Sequence, residues 1–243
     1  MKRLIKILLG VMRYLVIWII LLIALRFVNR IFNVQWLEDY GKGLCFIITS
    51  IVSGVMFDGL GLKDMFIRIR IKDLIYFLIG ALIVFLNYEV LNLYFSKSIK
   101  SNIISGNAVY YSYRAMFFGW LILGISEEIL FRGYLFGVFH KITNNKNAII
   151  IASFLFSIMH IINPEYNLII DFLYAFAIGI GLSIMCIKTK SIWFAVGYHA
   201  VFNYSVDILE ENMLLLFNST VIVTLLIACL LVCKLKQSES VRT

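Results

Sequence analysis

Long apolar stretches recur from one end of this 243-residue chain to the other. A helix needs around 20 residues to cross a hydrocarbon layer ~30 Å thick, and eight stretches approach or exceed that length. They cover residues 11–29, 43–60, 73–95, 115–138, 147–163, 167–187, 191–208 and 213–233. Hydrophobic residues make up 62% of the chain and charged residues only 15%, so a water-soluble surface could not be covered. We therefore predict an all-α, polytopic integral membrane protein with about eight transmembrane helices, and we exclude a disordered chain or a soluble enzyme.

The distribution of lysine and arginine predicts the topology. Positive residues collect in cytoplasmic loops of membrane proteins, and here most of them lie in alternate loops on the side of the N-terminus. This bias predicts a multi-pass protein of the cell membrane with both termini in the cytoplasm. The sequence has no internal repeat and no flexible linker, so we predict one integral membrane domain over residues 1–243. Because the net charge of +8 follows the loop pattern, we predict membrane lipid as a partner and no nucleic acid.

The predicted fourth span contains three charged residues, Glu127, Glu128 and Arg132. A charge at the bilayer centre costs at least ~2.5–3.5 kcal/mol. Glu128 and Arg132 are four residues apart on one helix face, in the favourable order for an ion pair. Glu127 lies about 100° further round the helix and is poorly placed for Arg132. The pattern predicts one paired and one free carboxylate, although an isolated Glu–Arg pair is commonly only a structural clamp.

Two further predicted spans carry histidine. His160 lies near the end of the fifth, one turn after Phe156, and His199 lies in the seventh, four residues before Asn203 on the same face. A single intramembrane histidine is commonly a satisfied core residue. Three helices that each offer polar groups to a bundle interior instead predict an intramembrane polar cavity.

The residue types in this cavity indicate hydrolysis. A carboxylate and an imidazole can together hold a water molecule and remove its proton. A second imidazole and a carboxamide can donate hydrogen bonds to a developing oxyanion. No serine or cysteine stands beside a suitable base, so activated water fits better than a covalent intermediate.

The three motifs resemble those of the CAAX-protease and bacteriocin-processing family, also called CPBP or Abi, which includes the type II CAAX prenyl endopeptidases. The family motifs are two glutamates followed after three residues by arginine, then Phe-x-x-x-His, then His-x-x-x-Asn. The resemblance covers about residues 115–208, and the chain lacks the large insertions of eukaryotic enzymes, so it is most similar to bacterial members. The matching residues are, in order, Glu127, Glu128 and Arg132, Phe156 and His160, and His199 and Asn203.

The resemblance implies an eight-helix intramembrane endopeptidase with its site in a cavity near one membrane face. Carried over to this sequence, Glu127 and His160 would activate water. The predicted oxyanion donors are His199 and Asn203, and the supporting residues are Glu128 and Arg132.

The metal content of the predicted site has two interpretations. Family members are often described as metalloproteases, and Glu127, His160 and His199 are chemically a zinc set. The HExxH helix of soluble zinc proteases is absent from the sequence, however. We favour a site without metal, so we predict no cofactor, and zinc is the alternative.

The substrate implied by the resemblance is a peptide or a lipidated peptide that is cut close to the membrane. For a bacterial member we favour peptide maturation or bacteriocin self-immunity. Two other functions stay open at this point: an ion-coupled membrane transporter, and a non-catalytic immunity or scaffold protein. The sequence contains no signal for an oligomeric state.

Overall fold

The computed structural model describes residues 2–94, 108–161, 168–209 and 211–240, and this part of the chain is helical without a strand. The predicted all-α class is therefore confirmed for these residues. A π-helical turn, Ser53–Phe57, continues the second helix, and a π-helical segment, Ile129–Leu135, joins the fourth helix to the fifth. The α-helices are α1 (Lys2–Phe32), α2 (Gln35–Val52), α3 (Ile71–Tyr94), α4 (Ala108–Glu128), α5 (Phe136–Ile142), α6 (Asn145–His160), α7 (Leu168–Thr189), α8 (Trp193–Ile208) and α9 (Glu211–Ser240).

Five helical segments in the described residues are long and apolar enough to cross a membrane. Many large apolar side chains on α1, α3 and α9 are exposed, and exposed apolar surface of this extent is typical of a membrane or partner contact. The protein is therefore built as a membrane protein. The five segments are Leu9–Phe32, Tyr40–Phe57, Ile71–Tyr94, Leu168–Thr189 and Met213–Lys234.

The predicted count of eight spans is not confirmed. Helices α6 and α8 have 16 residues each, which gives about 24 Å of length at 1.5 Å per residue. The helix through predicted span 115–138 contains the charged motif. These three spans carry Glu127, His160 and His199, and none of them is among the five apolar segments. Residues 95, 162, 163 and 167 of the predicted spans lie outside the described residues.

A polar cluster fixes the π-helical segment Ile129–Leu135 against the N-terminal helices. The Tyr134 hydroxyl donates to Asp58 Oδ2 at 2.9 Å, and Arg13 Nη2 donates to the same oxygen at 2.6 Å. The Tyr134 ring also stacks on Tyr14 of α1, with centroids 5.4 Å apart. The segment that carries Arg132 is thus held from α1 and from the end of α2.

Helix α8 lies in the centre of the bundle and packs on α3 through two glycines. A side-chain carbon at Gly80 would overlap with the carbonyl oxygen of Phe194, and one at Gly197 would overlap with that of Phe77. Small residues let helix backbones approach closely in membrane proteins. The position of α8, and therefore of His199, depends on these two glycines.

We expect Gly197→Ala to lower the free energy of unfolding by about 1–3 kcal/mol, the usual cost of overpacking. The added methyl group meets backbone, which cannot rotate away, so α8 must move from α3. Unfolding in detergent followed by circular dichroism would measure this. Gly10→Ala on α1 is the matched control, because the nearest atom to its methyl group is the end of Arg13 at 3.9 Å. An unchanged midpoint for Gly197→Ala would contradict the packing argument.

Candidate active site

Three helices bring the predicted site residues together. Glu127 is in the last turn of α4, His160 is the last residue of α6, and His199 is near the middle of α8. One ligand atom from each of these side chains lies within 4.8 Å of the other two. Motifs that are far apart in the sequence therefore lie close together in the fold, and a carboxylate and two imidazoles share one small space.

Glu128 and Arg132 form a buried ion pair beside this cluster. Arg132 Nη1 donates to Glu128 Oε1 at 2.7 Å, and the side chains are 1% and 0% exposed. The Arg132 guanidinium also lies over the Phe156 ring, 4.2 Å from its centroid. The pairing expected from their spacing is present, although the backbone between them is π-helical and not α-helical.

His199 lies between the two carboxylates. Its Nδ1 donates to Glu128 Oε1 at 2.8 Å, and its Nε2 lies 3.4 Å from Glu127 Oε2. Glu128 Oε1 therefore accepts from both Arg132 and His199. This shared acceptor fixes the rotation of the imidazole and directs Nε2 toward Glu127.

His160 is oriented by its own helix. Its Nδ1 donates to the Phe156 carbonyl oxygen at 2.8 Å, which leaves Nε2 available to the centre of the cluster. The buried Phe156 ring packs 4.2 Å from the His160 ring and 5.6 Å from the His199 ring, between centroids. Phe156 thus contacts both imidazoles and the Arg132 guanidinium.

A cavity of about 120 Å³ adjoins the two histidines. Asn203 lines it together with His160 and His199, so the three predicted residues on α6 and α8 face one space. Glu127 is not part of this wall, although its side chain is 22% exposed. The remaining wall comes from α7, α8 and α9 and consists of Asp171, Tyr174, Ala175, Ile178, Tyr198, Phe202, Val206 and Asn218, with Phe156 from α6.

Sequence reasoning did not select Asn218 or Tyr174 as cavity residues. Asn218 is a carboxamide within an apolar stretch of α9, and a polar residue in a predicted membrane span could have indicated a cavity position. Tyr174 has no comparable signal, because tyrosine is common in membrane helices.

The donor set fits a zinc ion. Neighbouring ligands of a tetrahedral zinc with bonds of ~2.0–2.2 Å lie ~3.3–3.6 Å apart, and Glu127 Oε2 and His199 Nε2 are 3.4 Å apart. Glu127 Oε2 is buried and has no hydrogen-bond partner among the described residues. Both histidines use Nδ1 for a protein acceptor, which is the usual arrangement of metal-binding histidines.

Comparison with known proteins identifies the region that holds this cluster. The family model of the Rce1-like type II CAAX prenyl endopeptidases matches residues 111–205. Residues 111–205 are therefore similar to that family over less than half of the chain. They contain all six predicted site residues, and the resemblance drawn from the three motifs is confirmed. A search of curated proteins found no match.

Helices α1–α3 and α9 lie outside the matched Rce1-like region. The family match therefore covers α5, α6 and α7 and most of α4 and α8, which carry the site and three walls of the cavity. The fourth wall, from α9, belongs to the part of this chain that the family model does not cover.

Proposed function

We propose that this protein is an intramembrane endopeptidase of the CAAX type that hydrolyses a peptide bond close to the membrane. The observation that carries the proposal is the convergence of Glu127, His160 and His199 within 4.8 Å beside a cavity. The Rce1-like match supports the same class of activity. The protein is proposed to lie in the cell membrane as a single domain, surrounded by lipid, with both termini in the cytoplasm.

The first chemical step in this proposal is attack by water on the peptide carbonyl carbon. Glu127 Oε2, which has no hydrogen-bond partner among the described residues, accepts a proton from the water as the new C–O bond forms. His160, held through Nδ1, accepts a hydrogen bond from the same water at Nε2 and so orients its lone pair. General-base assistance of this kind contributes about 10²–10⁴-fold to the rate.

The second step is the collapse of the tetrahedral intermediate. The His199 imidazolium, which donates from Nδ1 to Glu128, donates from Nε2 to the oxyanion, and the Asn203 amide donates a second bond. The proton held by Glu127 passes to the leaving nitrogen, the C–N bond breaks, and the products are a carboxylic acid and an amine. Arg132 and Glu128 keep His199 in place throughout.

Glu127, His160 and His199 are also the residues that would hold a zinc ion. Such an ion would supply Lewis-acid activation of water and of the substrate carbonyl. The contacts from Glu128 to His199 and from the Phe156 carbonyl to His160 orient the imidazoles in either case. Our preference for a site without metal stays a prediction, which a chelator tests.

The biological role we propose is cleavage of a hydrophobic or lipidated peptide, in peptide maturation or in bacteriocin self-immunity. The apolar walls of the cavity favour an apolar peptide segment. The site residues lie on α4, α6 and α8, and the same protein contains five apolar segments. The substrate would therefore reach the site from the membrane.

The test is cleavage of peptides by the purified protein in proteoliposomes. Farnesylated CAAX peptides and hydrophobic leader peptides are offered separately, each with and without a zinc chelator. We expect cleavage of at least one class, and retention of cleavage under the chelator supports the site without metal. Loss under the chelator, restored by added zinc, would show that the metal-free prediction is wrong. Absence of cleavage in both peptide classes would contradict the proposed substrate class.

A further inference from the structure

Asn218 is the polar residue of α9 that faces the cavity. It is 5% exposed, and its Oδ1 is buried without a hydrogen-bond partner in the described residues. A buried amide that lacks a partner costs free energy. It lies next to Ser219, whose hydroxyl is bonded to Tyr174 at 2.9 Å, so the neighbouring polar group is satisfied and Asn218 is not.

The cavity that Asn218 lines also adjoins three residues of the proposed site. His160, His199, Asn203 and Asn218 all line the same space of about 120 Å³. A cavity of about 150 Å³ holds one benzene molecule, so this one accepts about one side chain or one peptide unit. A group that lies against His199 in so small a space is also in reach of Asn218. A prenyl chain is considerably larger than benzene and does not fit inside it.

We infer that Asn218 binds a main-chain peptide unit of the substrate next to the bond that is cut. A carboxamide carries one acceptor and two donors, which complement the N–H and C=O of a peptide unit. The cavity wall also contains apolar residues, Val206 and Ile178, beside the polar Asp171 and Tyr174. This inference rests on the proposed function, because it names how the proposed peptide substrate is held.

Asn218 lies in a different part of the chain from the proposed catalytic groups. Helix α9 lies outside the region that matches the Rce1-like family, residues 111–205. The catalytic groups come from the matched region and the proposed anchor comes from α9. The anchor holds the substrate main chain in the cavity that His199 and Asn203 also line.

The first experiment compares wild type with Asn218→Leu, which keeps the branched shape and the number of side-chain heavy atoms. We expect kcat/KM for peptide cleavage to fall roughly tenfold, the effect of one or two lost hydrogen bonds. We also expect the midpoint of unfolding in detergent to rise or stay constant, because leucine removes a buried amide without a partner. A purely structural asparagine would instead show a lower midpoint, and that result would overturn the inference.

The matched control is Asn87→Leu on α3. Asn87 also contacts α9, through Thr224 at 3.1 Å, but it does not line the cavity. We expect its kcat/KM to equal that of wild type. Equal losses in the two asparagine variants would overturn a direct role for Asn218 in substrate binding.

A second experiment replaces single peptide bonds of the substrate with esters, which removes one N–H at a time. In wild type, the ester at the position bound by Asn218 should lower kcat/KM roughly tenfold. In Asn218→Leu the same ester should cause no further loss. If every ester has the same effect in both proteins, Asn218 does not bind the main chain.

A binding measurement separates this inference from the proposed catalysis. Peptide affinity is measured for Glu127→Gln with and without Asn218→Leu, where no cleavage takes place. Weaker peptide binding in the double variant supports the inference that Asn218 binds the substrate. This holds even if the protein binds peptides without cleaving them. Equal affinities overturn the anchor, whatever the wild-type activity.

Discussion

Glu127→Gln is expected to lower kcat for peptide cleavage by about 10²–10⁴-fold, the contribution of a positioned general base. Glutamine has nearly the same shape as glutamate but cannot accept the proton of the attacking water. Glu127 Oε2 has no hydrogen-bond partner among the described residues, so the substitution breaks no direct hydrogen bond of that atom. The measurement is kcat in proteoliposomes, with unfolding in detergent recorded for the same preparation.

Glu89→Gln on α3 is the matched control for this prediction. It makes the same chemical change in a partly exposed carboxylate that belongs neither to the Glu127 cluster nor to the cavity wall. We expect wild-type cleavage from the control and a wild-type unfolding midpoint from both variants. If Glu127→Gln keeps both cleavage and biological activity, the proposed base is wrong. If it keeps only the biological activity, a binding or scaffold role replaces the enzyme.

The contacts within one helix were the most predictable part of the site. The spacing of Glu128 and Arg132 predicted their ion pair, which is present at 2.7 Å. The gathering of three motifs could be expected because an ionisable group inside a membrane needs a partner. The roles assigned to Glu127, His160, His199 and Asn203 stay predictions, since a structure without substrate does not test them.

Contacts between helices were not predictable in the same way. The bond from His199 Nδ1 to Glu128 Oε1 joins residues 71 positions apart, and no periodicity in the sequence encodes it. The π-helical segment Ile129–Leu135 was not expected either, because its apolar residues fit an α-helix equally well. Hydropathy predicted eight spans, and five helical segments of the described residues are long and apolar enough to cross a membrane, so the count of eight stays a prediction.

Arg132→Met is expected to cost about 3–5 kcal/mol of unfolding free energy, the usual result of removing one partner from a buried ion pair. Glu128 is 0% exposed and would keep only His199 as a partner for its charge. The Phe156 ring would also lose its guanidinium contact. Unfolding in detergent followed by circular dichroism measures the effect. Arg30→Met at the exposed end of α1 is the matched control and should leave the midpoint nearly unchanged.

The double variant Glu128→Gln with Arg132→Met tests the cause of this loss. With both charges removed, no unpaired charge is buried, so the double variant should be more stable than Arg132→Met alone. Peptide cleavage should stay low in the double variant, because His199 loses the carboxylate that fixes its Nδ1 and directs its Nε2 toward Glu127. A double variant no more stable than Arg132→Met would show that the packing of the guanidinium on Phe156, and not the buried charge, determines the stability of this helix junction.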